Sequence, residues 1–489
     1  MQTEIVELLN QLGTGKMSAT AYDTAWVARL GDIDRDLSTH ALEWLIEHQL
    51  PDGSWGAAAP FYYHDRVIST LAAMIALTHR GRRAHDRQQI DNGLLALEQI
   101  TSGATKGLMA DSNGATIGFE MIVPTLVAEA EKLGIIKQQG KSILGKLSNM
   151  RKLKLQKMKG YKINRNVTMA FSAEMAGMDG RDMLDVENLQ EQNGSVGCSP
   201  SATAYCALQV KREDKKAMEY LYKIRRENGG APNVAPFDVF EIAWTLWNLS
   251  LVPNLDVAEK IKPHLDFLSD TWQPSRGIGF ASEYSVKDSD VTSLVFDTLA
   301  RFGRLKDVES ILSYEETDWF RCYDLEADPS VSANIHVLGA LRTAGFEKKH
   351  PSVQKVIHFL RRVKGENPYW VDKWHYSPFY ATAHAIIVCA GYDDDLVKDA
   401  VEWLISIQRQ DGSWGAYFPT CEETAYAIQA LWSWHQNAGK VPEEILKKGG
   451  QWLEENQNFE YPPLWIGKCL YNPTFVIRSA IISAILLAK

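Results

Sequence analysis

Two aspartates two residues apart, Asp288 and Asp290, follow the glycine-bearing stretch Gly277-Ile278-Gly279-Phe280 and stand where an apolar helical pattern begins. The chain around them is rich in rings, with 15 Trp, 18 Tyr and 16 Phe. Carboxyl groups in an aromatic cavity suit one uncommon reaction, the protonation of a carbon–carbon double bond. Ring faces would then hold the resulting cation by cation–π attraction. The same spacing also describes a helix N-cap followed by a solvated first-turn acid. A helix N-terminus favours the carboxylate, the wrong direction for a proton donor. That objection weakens in a dry shared site, where one carboxyl ionises and caps while the other keeps its proton. An isolated Asp with a pKa of about 3.9 is a poor acid for an alkene. Neighbours that hydrogen-bond the conjugate base, and exclusion of water, make it a better one.

The elements that must position this pair are helical and repeated. At 489 residues two domains are expected. Ala41-Leu42-Glu43-Trp44 leads to Asp52-Gly53-Ser54-Trp55-Gly56, and Val401-Glu402-Trp403-Leu404 leads to Asp411-Gly412-Ser413-Trp414-Gly415. Weaker copies surround Asn193-Gly194-Ser195-Val196-Gly197 and Arg276-Gly277-Ile278-Gly279, and a degenerate one spans Gln451-Trp452-Leu453 and Leu464-Trp465. Between turns, apolar residues recur at helical spacing, as in Val67-Thr70-Leu71-Met74. Such units close into double-ringed α/α barrels; a single long solenoid is the alternative. The expected fold is all-α, with two barrels and a cleft between them.

Composition excludes several classes. A net charge of −9 without a broad basic block argues against nucleic acid, the longest basic stretch being Lys146 to Lys162. No apolar run reaches about 18 residues, so no membrane span is expected; the run from Phe475 to Ala488 is broken by Arg478. The opening Met1-Gln2-Thr3-Glu4 is not a signal peptide. Six cysteines without a CxxC read as reduced core thiols. A cytoplasmic protein is expected.

Further blocks carry a family resemblance. Ser18-Ala19-Thr20-Ala21-Tyr22-Asp23-Thr24-Ala25-Trp26 resembles the SxYDTAW signature of the class II diterpene cyclases. Asp65-Arg66-Val67-Ile68-Ser69-Thr70-Leu71, Gly118-Phe119-Glu120 with Pro124-Thr125-Leu126, Ser199-Pro200-Ser201-Ala202-Thr203-Ala204, Pro232-Asn233-Val234 and Asp372-Lys373-Trp374 look like further blocks, in the family's order over nearly the whole chain. The bacterial halimadienyl (tuberculosinyl) and kolavenyl diphosphate synthases are the branches it most resembles.

The resemblance implies a β domain over 1–34 and 246–489 and an inserted γ domain over 35–245, with the active site between them and no class I α domain. It implies geranylgeranyl diphosphate as substrate, Asp290 as general acid and Asp288 as its orienting neighbour. The motif departs from DxDD, since Val291 replaces the last Asp; Asp288, Thr292 or water would then orient Asp290. Asn233 matches the position that holds the proton-accepting water in plant relatives, and Phe171 falls where they keep a His; Phe171 would control the product if it lines the cavity, and ordinary core packing is the alternative. Lys162 and Lys373 match proposed diphosphate contacts, or are ordinary surface lysines. The acidic magnesium loop is reduced to Asp111, a weak candidate Mg2+ ligand or equally a loop acid in water. Trp272, Phe280, Trp319, Trp374 and Tyr380 are candidate cavity rings, though ordinary packing explains each as well. Phe320, His375 and Trp414 stand in the same group.

Three decoys fall away. Gly13-Thr14-Gly15-Lys16 lacks phosphate-loop spacing. Asp393-Asp394-Asp395-Leu396-Val397 lacks the last Asp of a diphosphate-ionising DDxxD, and Lys398 occupies the Ser/Thr slot of the second such motif. The product should therefore keep its diphosphate and pass to a separate terpene synthase or phosphatase. A rearranged kolavenyl or halimadienyl skeleton is the expected product. The alternatives are a copalyl-type synthase, a squalene–hopene-type cyclase, and a non-catalytic helical-barrel scaffold that binds a protein.

Overall fold

The acid pair opens one of six helices that form a closed inner ring. In a computed structural model covering the chain except residues 1, 82–83, 103–114, 138–139, 325, 327 and 458–459, helix Asp238–Ser250 packs on Ser289–Arg301, which packs on Val331–Thr343. Pro378–Cys389, Cys421–Asn437 and Thr474–Leu487 follow, and the last packs back on the first. Outside this ring lie Ala258–Thr271, the short Glu309–Leu312, Pro351–Lys364, Asp394–Ser406 and Glu443–Asn456. The N-terminal helix Gln2–Gln11 takes the remaining outer seat, between Thr474–Leu487 and Ala258–Thr271. The two rings differ as their sequences require. Inner helix Pro378–Cys389 is buried from Phe379 onward, whereas outer helix Pro351–Lys364 buries a stripe of Val353, Val356, Ile357 and Leu360.

A second ring is built from the early part of the chain. Ala21–Ala28, Tyr63–Arg80, Phe119–Lys132, the tight turns of Thr168–Ala176 and Pro200–Tyr205 pack in succession, and Pro200–Tyr205 returns to Ala21–Ala28. The fold is thus all-α as expected. Its strands among the described residues are two short antiparallel pairs, Ala19–Thr20 with Ala231–Pro232 and Trp465–Ile466 with Leu470–Tyr471. Two hydrophobic cores result. One gathers chiefly residues from Ala21 to Ala231, the other chiefly Ile5 to Met17 and Val234 onward. The cores change over near 17–21 and 231–234, each changeover about one helix before the expected boundaries at 34 and 246. The pairing of Ala19–Thr20 with Ala231–Pro232 ties these two crossings together.

The repeated turns have a shared mechanism. In each, the amide after the turn donates to a hydroxyl on the next inner helix: Trp55 to Thr70 at 3.0 Å, Val196 to Thr203 at 2.9 Å, Ile278 to Thr292 at 3.0 Å, Trp370 to Thr382 at 2.9 Å and Trp414 to Thr424 at 2.9 Å. The indoles of Trp55 and Trp414 donate to the Leu45 and Leu404 carbonyls, both at 2.8 Å, and are structural. Among the described residues no helix is long and apolar enough to cross a membrane.

Candidate active site

Asp288 is the N-cap of helix Ser289–Arg301, its carboxylate accepting the Val291 amide at 2.7 Å. Ser330, Ser377 and Thr420 hold the same place on the next inner helices. The glycine turn before the cap is sterically required. Gly277 has φ +75°, and a Cβ there would lie 2.2 Å from Thr292 Oγ1. Thr292 itself both accepts from the Ile278 amide and donates to the Ile278 carbonyl, each at 3.0 Å. It is committed to the turn, which corrects the expectation that it could orient Asp290.

Asp290, one residue inside the helix, is 8% exposed. Its orienting partner is a residue the sequence did not single out. His336 Nδ1 lies 2.6 Å from Asp290 Oδ1, and His336 Nε2 lies 2.8 Å from His384 Nδ1. Burial, the largest cause, pushes His384 well below the usual histidine range, and any positive charge on His336 or His375 would push it further, so it is neutral. Assigning its proton to Nδ1 makes it a donor to His336 Nε2; His336 then carries its own proton on Nδ1 and donates to Asp290 Oδ1. That hydrogen bond favours the carboxylate form of Asp290 and engages Oδ1, not Oδ2. Asp288 complements it. Burial, and then the Asp290 charge, push its carboxyl up to about 8, because two neighbouring carboxyls in a low-dielectric site resist double ionisation. Asp288 keeps a partly exposed edge while protein surrounds it at longer range. The pair therefore retains a proton at neutral pH.

Aromatic rings adjoin the acid. Trp244 meets His336 edge-on at 5.6 Å and stacks on Phe240 at 3.6 Å. Its indole donates to Tyr380 Oη at 2.9 Å. Tyr380 lies 6.3 Å from His336 and 4.8 Å from Trp465, which stands edge-on to Phe240 at 5.5 Å. Of the rings anticipated, Tyr380 is therefore beside the acid. Phe280 packs on Tyr284 at 4.2 Å and Phe237 at 6.1 Å, further along the same aromatic chain. Trp272 donates its indole N–H to Asp307 at 2.7 Å. Trp374 donates to Ser330 Oγ at 3.2 Å, and Trp319 is partly buried against the barrel core. His375 is tied to Glu422 at 3.1 Å and stacks on Tyr380 at 5.0 Å. Phe240, Trp244, Trp465, His336 and His384 are site residues that the sequence did not single out. The available signal for the histidines is polarity inside otherwise apolar inner helices, at Asn334-Ile335-His336 and Ala383-His384.

The remaining candidates fall elsewhere. Asn233 is buried and donates to Asp23 Oδ2 at 3.0 Å. Phe171 is buried and belongs to the same core as the acid helix, although Ala170 and Ala173 beside it belong to the other. Lys162 is exposed. Lys373 is ion-paired with Glu326, donates to the Asp328 carbonyl at 2.6 Å and stands 5.0 Å over Trp374. Burial opposes its charge, but Tyr323 and Glu326 outweigh burial and raise its pKa. Asp372 caps by accepting from the Ser332 and Trp374 amides at 2.9 and 3.0 Å, a structural duty. Asp111 lies outside the described residues.

Comparisons with known proteins agree with this architecture. A family model described as the squalene-hopene cyclase C-terminal domain matches residues 322–466. The chain is 49% identical over 482 residues to a type B diterpene cyclase of Mycobacterium tuberculosis, covering 97% of this chain and 96% of that one. The solved structure of ent-copalyl diphosphate synthase from Streptomyces platensis superposes with a TM-score of 0.80 at 27% identity, over 100% of this chain and 99% of that one. The Arabidopsis thaliana ent-copalyl diphosphate synthase, solved with (S)-15-aza-14,15-dihydrogeranylgeranyl thiolodiphosphate, gives 0.69 at 25% identity, over 100% of this chain and 62% of that one. A histidine-braced aspartate pair in an aromatic setting, on a fold and sequence shared with these enzymes throughout, means that this chain belongs to the class II diterpene cyclases.

Proposed function

We propose that the chain cyclises geranylgeranyl diphosphate to a rearranged bicyclic diterpenyl diphosphate of the kolavenyl or halimadienyl type. The observation that carries this reading is the 2.6 Å contact between His336 and Asp290 beside Trp244 and Tyr380. Asp290 Oδ2–H protonates the terminal alkene, and the His336 bond to Oδ1 favours the carboxylate that remains. Two internal alkenes then close the rings, each passing the positive charge to a new tertiary carbon. Hydride and methyl shifts move the charge on, and a C–H bond finally gives its proton to a water at Asn233 while its electron pair forms the new alkene. Phe171 offers no base at this end, which supports rearrangement before proton loss.

The diphosphate is retained in this reading. Lys162 is its favoured contact, since Lys373 is already held by Glu326. We propose Mg2+ as the diphosphate counter-ion. Among the described residues no three or more His, Cys, Asp or Glu group to hold a metal. Unpaired, buried cysteines support a reducing compartment such as the cytoplasm, and the retained diphosphate calls for a separate terpene synthase or phosphatase. An unrearranged copalyl-type product is the second reading, favoured by the names of the Streptomyces and Arabidopsis relatives. Incubation with geranylgeranyl diphosphate and Mg2+, enzymatic dephosphorylation and identification of the alcohol decide between them. A copalol-type alcohol would refute rearrangement; no cyclic alcohol at all would refute the substrate.

A further inference from the structure

A buried ion cluster joins the two units and is not used by the acid. Lys468 lies in the hairpin that follows Trp465 and is fully buried. Its ammonium reaches Glu174 Oε1 at 2.6 Å, Ser199 Oγ at 2.7 Å and Ser201 Oγ at 2.6 Å, which fills its three donor sites. It also stands 4.6 Å over the ring of Phe171. Tyr22 donates to the same Glu174 oxygen at 2.9 Å. Beside this group, Asp23 accepts from Thr20 Oγ1 at 2.8 Å, Asn233 Nδ2 at 3.0 Å and the Ser201 amide at 3.2 Å. Burial pushes the Asp23 carboxyl up, and Lys468 is the largest influence pulling it back. Glu174 thus contacts the ammonium directly, and the Asp23 carboxyl feels it without a direct bond.

The hairpin delivers these charges to adjacent points. Gly467 approaches Asn233 so closely that a Cβ would lie 1.8 Å from its Oδ1, and the next residue is Lys468, over Phe171. With Nδ2 bonded to Asp23, Asn233 has its Oδ1 as the atom that can accept a proton-bearing group. Phe171 not only lacks a base; it has one ring face already occupied by an ammonium. Its capacity to hold a second cation is correspondingly reduced.

We propose that Lys468 and Asp23 act as positioning residues that select the carbon losing its proton. Lys468 makes the Phe171 side of the wall unfavourable to positive charge, and Asp23, through Asn233, makes the neighbouring side favourable. The step is an ordinary elimination: the C–H bond breaks, its electrons form the alkene and neutralise the cation, and the proton leaves on water. This inference rests on Asn233 being the deprotonation site, so the test separates the two.

The paired variant Lys468→Met/Glu174→Gln removes both charges of the ion pair at similar volume, which buried pairs commonly tolerate. Asp23→Asn removes the other charge alone. Each is assayed with geranylgeranyl diphosphate, and the isomer ratio is read after dephosphorylation, with KM and the unfolding midpoint measured alongside. The expected result is a fall of about tenfold in the ratio of the wild-type product to its double-bond isomers, the scale of a unit charge acting across about 12 Å of protein, with KM within about twofold. Lys468→Arg, which keeps the charge, should restore the ratio. A wild-type ratio in folded Asp23→Asn, or in the folded paired variant, overturns the proposal. If Asn233→Ala also keeps the wild-type ratio, the deprotonation site itself is misassigned; if only Asn233→Ala changes it, the site stands and the electrostatic selection fails.

Discussion

Replacing Asp290 by Asn leaves the shape of the site and removes its transferable proton, so Asp290→Asn should abolish turnover in a protein with unchanged circular dichroism. His336→Phe tests the brace. Loss of a hydrogen bond to the developing carboxylate should lower kcat by roughly 10²–10³-fold, the cost of removing one preorganised donor, with little change in KM. Asp288 adds a pH signature. Its carboxyl is raised to about 8 by burial and by Asp290, so the pair holds a proton below that pH and loses it above. Turnover should fall as pH rises through about 8. The stability sign is the same: a raised pKa favours the native state at low pH, and that contribution is lost between the unfolded value near 3.9 and about 8. Asp288→Asn can still cap and cannot ionise. Its unfolding midpoint should therefore exceed that of the natural chain by about 2–4 °C at pH 8.5, with the gap closing toward pH 4. An equal gap at both pH values would mean that Asp288 is not held protonated by its surroundings.

At the scale of elements, one hydroxyl device serves both the helix that carries the acid pair and one that carries none. Thr292 satisfies both the amide and the carbonyl of Ile278, and Thr70 does the same for Trp55 at 3.0 and 3.4 Å. Thr292→Val and Thr70→Val should each destabilise the protein by about 1–3 kcal/mol, the cost of leaving buried polar groups unpaired, read by denaturant melts. Only Thr292→Val should lose activity beyond its loss of folded protein, because that turn aims the Asp288–Asp290 pair. The DGSW turns are legible in sequence because a positive-φ glycine and a side-chain cap are local requirements. The turn at Trp370 is not, although its amide bonds Thr382 and its indole bonds the Leu360 carbonyl at 3.0 Å. It lacks the Asp-Gly pair, and the feature it shares with the others is a hydrogen bond to a hydroxyl on the following helix.

The two cores are bridged by buried polar contacts as well as by chain crossings. Lys468 binds Glu174, Asn233 binds Asp23, the Leu470 amide binds Asp65 at 3.1 Å, and Ser285 binds Glu191. Separating the units would strand these groups without partners, at a cost of several kcal/mol in total. Calorimetry should therefore record one cooperative transition rather than two. Product chemistry is the other whole-molecule test. The cyclised product should stay in the aqueous phase until phosphatase is added, and pyrophosphate release should remain at background. Stoichiometric pyrophosphate would mean that ionisation of the diphosphate, not protonation, starts the reaction.

The helical repeats, the capping turns and the Asp288–Asp290 pair are readable from the chain because each depends on residues within about one helical turn or one repeat. The family resemblance adds Asn233 and Phe171 as candidates. What the chain alone could not show is which distant groups meet. His336 and His384 come from the two inner helices that follow the acid helix and reach Asp290 only when the ring closes; Lys468 reaches Glu174 only when the last hairpin enters between the units. Packing likewise supplies the partners of other candidates: Thr292 serves the turn, Lys373 is ion-paired with Glu326, and Trp272 donates to Asp307. A side chain's residue type limits its chemistry, but burial and its partners decide which proton it holds, and both are products of packing between segments far apart in sequence.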